Sequence, residues 1–126
     1  MNNGPHDIDG TWVNQNGSTM VLTVHNGTIS GHYRSAKGRS VVGKDYGLVG
    51  IVNGDVLTFG VSWQDDEDNK ESVTSFAGRL ERADGDVVAI HTLWILARRW
   101  EDEQRTRETG AWNAFLTNAD VFRRTD

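Results

Sequence analysis

Three tight-turn signals, His25-Asn26-Gly27, Val52-Asn53-Gly54-Asp55 and Ala83-Asp84-Gly85-Asp86, constrain this chain more than any other feature. Asn-Gly and Asp-Gly pairs suit two-residue hairpin turns, and each pair is flanked by runs rich in β-branched or aromatic residues. Each is read as a hairpin. Strands are predicted near 9–15, 19–25, 28–35, 46–53, 56–64, 71–81, 86–97 and 113–123, in strict succession. Eight antiparallel strands in up-and-down order favour a closed all-β barrel, because closure removes the edges that invite aggregation. The charged, helix-tolerant stretch Trp100 to Glu108 leaves room for a short helix or a mobile loop.

A chain of 126 residues suits one domain with one core, expected over 8–123, with 1–7 a flexible leading segment and 124–126 a tail. Fourteen Gly, one Pro and five Trp describe a turn-rich folded protein. The lack of Cys excludes a disulfide framework and a thiolate metal site. No run approaches membrane-spanning length, and Met1 to Asp9 is too polar for a signal peptide; an exported form would already have lost its signal. A net charge of −5 argues against nucleic acid, and the late arginines Arg98, Arg99, Arg105, Arg107, Arg123 and Arg124 are interleaved with acids. The acidic run 65–69 lacks the ordered Gly and Glu of a calcium loop and reads as solvated. His6, His25, His32 and His91 form no triad or metal pattern, and neither Ser18 nor Ser35 has an evident base, so binding is favoured over catalysis.

Strand parity then sorts the lining. Trp12 and Asn14 share a face, with Ser18 returning beyond the Asn16-Gly17 turn. Tyr33 pairs in parity with Ser35, Phe59 with Val61 and Trp63, Ser72 with Thr74 and Phe76, Thr92 with Trp94 and Leu96, and Asp120 with Phe122. With the aromatic parity inward, the interior mixes rings with hydroxyls, an amide and a carboxylate. A barrel that merely fills itself uses aliphatic layers, so this lining favours a small-molecule cavity over an internally satisfied network. Asn14, Ser18 and Tyr33 offer three neutral donors to one carbonyl-type oxygen, while Asp120 and Ser35 can each accept from an N–H. Together they describe a cyclic urea, with the rings burying an apolar body and Ser72 near the exit for a polar tail.

The ordered motifs Gly-Thr-Trp-x-Asn-x-x-Gly-Ser-x-Met (10–20), Gly-x-Tyr-x-Ser-Ala (31–36), Val-x-Trp (61–63), Ser-x-Thr-x-Phe-x-Gly (72–78) and Thr-x-Trp-x-Leu (92–96), with Trp112 and Asp120-x-Phe122, resemble the avidin and streptavidin family of biotin-binding barrels. The resemblance implies that Asn14, Ser18 and Tyr33 hold the ureido oxygen of biotin, that Asp120 and Ser35 take the ureido N–H groups, and that Thr74 meets the thioether sulfur. It implies a wall of Trp63, Phe76, Trp94 and Leu96, and a carboxylate site from Ser72 and the 36–45 loop with Gly38 and Arg39. Trp112 matches the tryptophan that members lend to a neighbouring subunit, which implies a homotetramer over a dimer. The resemblance further implies a secreted or periplasmic, non-catalytic protein with biotin as its ligand and no cofactor. Lys37, Arg39, Lys70 and Arg98 depart from the family pattern, and Arg99 to Glu108 is longer than its streptavidin counterpart. The alternatives are a lipocalin-like carrier, whose Gly-x-Trp start Gly10-Thr11-Trp12 also satisfies, and a non-catalytic inhibitor or interaction barrel.

Overall fold

The computed structural model describes residues 6–36 and 43–125. Eight strands, β1 (Gly10–Asn14), β2 (Thr19–His25), β3 (Thr28–Arg34), β4 (Asp45–Asn53), β5 (Val56–Gln64), β6 (Asn69–Ala83), β7 (Asp86–Arg98) and β8 (Phe115–Arg124), follow one another around a closed barrel. Every neighbouring pair is antiparallel, and Trp12↔Arg124 through Asn14↔Phe122 joins β8 back to β1.

The hairpin turns form where Asn-Gly and Asp-Gly stand, with Asn26 and Gly27 at φ 51° and 77° and Asp84 and Gly85 at 53° and 85°. Gly31 and Gly50 serve a different need. A Cβ on Gly31 would lie 1.8 Å from the Val21 carbonyl oxygen, and one on Gly50 would lie 2.1 Å from that of Thr58. Only glycine lets the strands pass this closely.

The largest differences from the expected limits are in β6, which extends two residues further at each end (Asn69–Ala83), and β8, which starts two residues later and ends one later (Phe115–Arg124). Residues 99–108 form a loop rather than the short helix that their composition also allowed. Trp100 and Glu108 pair as a β-bridge, and the Asp102 carboxylate accepts the backbone N–H groups of Thr106 and Arg107. A side chain that captures those N–H groups competes with a helical ladder.

Up-and-down order puts the β2–β3, β4–β5 and β6–β7 hairpins and both chain ends at one end of the barrel, and the four other connections at the opposite end. Burial divides along the same axis. Towards the hairpin end lie Ile8, Trp12, Leu22, Ile29, Leu57, Leu80, Val87 and Ile90, all buried. Trp12 is fully buried; its Nε1 donates to the Ile8 carbonyl at 3.0 Å, and the Arg124 guanidinium lies 4.3 Å from its ring centre. This end is a closed apolar core. Each buried Leu, Ile or Val contributes roughly 1.5–3 kcal/mol.

Candidate functional site

Towards the other end the inward positions turn polar: Asn14, Ser18, Ser35, Ser72, Thr74, Thr92 and Asp120 are all buried. Asn14 closes the β1–β2 turn with its own side chain, its Oδ1 accepting the N–H groups of Asn16 and Ser18, each at 3.0 Å. With that oxygen occupied, the amide nitrogen faces the interior, 3.2 Å from Asp120 Oδ2 and 3.5 Å from Tyr33 Oη. Ser18 Oγ accepts the Ala36 N–H at 2.9 Å, which leaves its hydroxyl proton for the hydrogen bond it makes with Tyr33. Burial pushes the Tyr33 phenol up to about 12, against that hydrogen bond and with help from the Asp120 charge. The phenol therefore keeps its proton through neutral and mildly alkaline pH. The Asn14 amide and two hydroxyls thus meet at one locus, hydrogen-bonded to one another and to Asp120, all neutral groups able to donate.

The Asp120 carboxylate beside them is held by amides. Gln15 Nε2 donates to Asp120 Oδ1 at 2.8 Å and to the Ala119 carbonyl at 3.2 Å, while Gln15 Oε1 accepts the Val121 N–H at 3.0 Å. The Thr92 hydroxyl fixes the backbone by donating to the Asp120 carbonyl at 2.9 Å. A carboxylate has about four lone-pair directions, so each oxygen keeps room for a further N–H. Ser35 follows Tyr33 on the same parity and is buried at the end of β3.

Rings enclose this polar corner. Tyr33 meets Trp63 edge-on with centroids 5.7 Å apart and Phe76 at 5.8 Å; Phe76 stacks on Phe59 at 4.5 Å, and Tyr46 backs Trp63 at 5.1 Å. The indole N–H of Trp63 donates to Thr74 Oγ1 at 2.9 Å, which fixes the ring and leaves the Thr74 proton free to donate elsewhere. Leu96 is buried and Trp94 half-buried along the same wall. Ser72 Oγ and Trp94 Nε1 are buried with no hydrogen-bond partner among the described residues. Two orphaned polar atoms in one wall, each costing about 1–3 kcal/mol, mark a surface shaped for something besides itself.

Avidin family describes the family model that matches residues 2–125 of the sequence. The chain belongs to the avidin family. Afifavidin from Afifella pfennigii is 41% identical over 92 residues, spanning 71% of this chain and 57% of afifavidin, so the chain covers little more than half of that relative's length. The structure of a rhizavidin–biotin complex superposes with a TM-score of 0.76 at 29% identity, over 95% of this chain and 94% of that one. A complex of short afifavidin with biotin gives 0.73 at 36% identity, over 90% and 85%. Avidin-family proteins are non-catalytic binders, and these two relatives were crystallised with biotin.

Within this avidin-family barrel, Asn14, Ser18, Tyr33 and Asp120 come together as one cluster, and Trp63, Thr74 and Phe76 stand along the wall beside it. Gly38 and Arg39 lie outside the described residues. Trp112 stands apart from the cluster on the β7–β8 connection, 91% exposed. Sequence reasoning missed Gln15 and Tyr46. Gln15 falls on the outward parity and is exposed, so alternation excluded it; its adjacency to Asn14 was the available signal. Tyr46 shares the inward parity of Leu48, so alternation along β4 could have found it.

Proposed function

We propose that this protein binds biotin non-covalently in the open half of its barrel. The observation that carries the reading is the convergence of Asn14 Nδ2, the Ser18 hydroxyl and the Tyr33 phenol beside the amide-held Asp120 carboxylate. A cyclic urea matches it: its oxygen accepts from the three donors, and its N–H groups donate to Asp120 and Ser35. Thr74 faces the thioether sulfur, and Trp63, Phe76, Trp94 and Leu96 bury the bicyclic ring at roughly 25 cal/mol per Å² of apolar surface. Ser72 and the 36–45 loop, with Gly38 and Arg39, meet the valerate carboxylate.

Affinity follows from order set before binding. The turn holds the Asn14 amide, Ala36 positions Ser18 and Gln15 aims Asp120, so little side-chain freedom is lost on association. Donors and acceptors at opposite ends of the urea polarise it together, and each bond to charged Asp120 contributes about 1.5–3 kcal/mol.

The assembly proposed is a homotetramer. Val49 and Ile51 on β4 and Leu93 and Ile95 on β7 are more than half exposed on the outer wall, and Trp112 on the β7–β8 connection is exposed too, which supports apolar contact with neighbouring copies. Light scattering at four chains supports this assembly, and a monomer overturns it. Calorimetric titration with biotin tests the site itself. The expected result is saturable binding with one biotin per chain, weakened by orders of magnitude in Asn14→Ala; a folded protein that takes up no biotin overturns the reading.

A further inference from the structure

The β6–β7 ladder sets Ser72 directly opposite Arg98, one step beyond Thr74↔Leu96 and two beyond Phe76↔Trp94, the pairs that line the barrel. Residues opposite each other in an antiparallel ladder share a face, with Cβ atoms about 4.5–5.5 Å apart. Arg98 is therefore on the inward face at the rim, half-buried, beside the Ser72 hydroxyl, which is buried without a partner among the described residues. Its Nε donates to the Asn113 carbonyl at 3.0 Å, which anchors the side chain and leaves both terminal nitrogens available. No described carboxylate forms an ion pair with it.

Several acids around that rim already have partners. Asp65 pairs with Lys44 at 2.9 Å, and Asp68 pairs with Lys70 at 3.2 Å and with Arg105. Glu71 takes Arg99 at 2.9 Å and the Trp100 indole N–H at 2.9 Å, and Glu108 takes Arg99 at 2.8 Å. Glu101, the acid linked to Asn113, accepts that residue's amide at 3.2 Å and has Arg107 at 4.0 Å. Among the described residues Arg98 thus carries a positive charge that no carboxylate pairs. A guanidinium presenting two nitrogens beside a free hydroxyl is a recognition pair for a carboxylate.

We infer that Arg98 is a specificity-determining residue, which together with Ser72 recognises a free carboxylate on the ligand's tail and sets this protein to prefer biotin acid over amide-linked biotin. The inference rests on the proposed biotin site, so its test must separate the two. Affinities for biotin and for neutral biotinamide should be measured in the wild type, Arg98→Gln, Arg98→Lys and Arg39→Gln. The wild type should favour biotin about tenfold or more, as a charged partner in place of a neutral one implies. Arg98→Gln should lose about tenfold for biotin and stay within about twofold for biotinamide, with Arg98→Lys keeping most of the preference. The preference should shrink as salt rises from about 0.05 to about 0.5 M. Equal weakening of both ligands by Arg98→Gln would assign Arg98 to holding Asn113 and overturn the inference. No change in either, or transfer of the effect to Arg39→Gln, would overturn it too. Tight binding of both ligands without preference in the wild type would refute Arg98 while leaving the biotin site standing; failure of both to bind would refute the site itself.

Discussion

The two ends of the barrel are built from the same alternating strands and do opposite things with their inward positions. At the hairpin end Trp12 spends its only polar atom on the Ile8 carbonyl and packs under Arg124, so no polar group of that residue is left wanting. At the other end, among the described residues, Trp94 keeps a buried N–H without a partner, and Ser72 a buried hydroxyl. Backbone geometry differs in the same sense. The left-handed residues at two of the hairpins belong to Asn-Gly and Asp-Gly turns, whereas Glu71, next to Ser72, takes φ +48° without being glycine or part of a tight turn. Such strain persists only where surrounding contacts hold it, here Arg99 and Trp100 on the Glu71 carboxylate. One end is organised for stability and the other gives some up to keep unmatched donors and acceptors in place.

Substitutions at the two ends should therefore separate stability from binding. Trp12→Ala should have the largest effect, costing about 3–5 kcal/mol in denaturant unfolding, while the folded fraction still takes up biotin with nearly unchanged affinity. Asp120→Ala should do the reverse. Removing the charged acceptor should weaken biotin by about ten- to a hundred-fold in calorimetry and move the unfolding midpoint little. A large loss of stability in Asp120→Ala, or of intrinsic affinity in Trp12→Ala, would erase the division between the ends.

A pH series sharpens it further. The Tyr33 phenol titrates higher in the folded chain than in the unfolded one, so its contribution is fully present below pH 10 and is lost as pH rises towards about 12. Stability and biotin affinity should fall together across that window, whereas Tyr33→Phe should flatten the stability part and lose the ureido donor at every pH. Gln15→Ala should be milder, a roughly tenfold faster release of biotin with the barrel intact, because Asp120 loses its aim and keeps its charge. Ser72→Ala should be the smallest in stability. Removing an unpartnered buried hydroxyl should leave the ligand-free protein as stable or up to about 1 kcal/mol more so.

Much of this was legible in the chain because its signals are local. Asn26-Gly27 and Asp84-Gly85 dictate their own turns, and once the turns are placed, period-two alternation carries Tyr33, Trp63, Thr74 and Asp120 inward with no tertiary information. What stayed hidden depends on contacts distant in sequence. Gln15 acts on a carboxylate 105 residues away from a position that alternation assigns to solvent. The register shift between Ser62 and Gln64, and the strained Glu71 across from it, have no local signature, since neither is glycine-coded. Composition alone also could not decide between helix and loop for 99–108, where the Asp102 side chain decides by taking the N–H groups a helix would use.

The most direct test is a crystal structure of the protein grown with biotin. The account predicts the ureido oxygen within about 2.7–3.2 Å of Asn14 Nδ2, Ser18 Oγ and Tyr33 Oη, with a ureido N–H on Asp120. Biotin seated anywhere other than this donor cluster, or a barrel interior without ligand at saturating biotin, would contradict it.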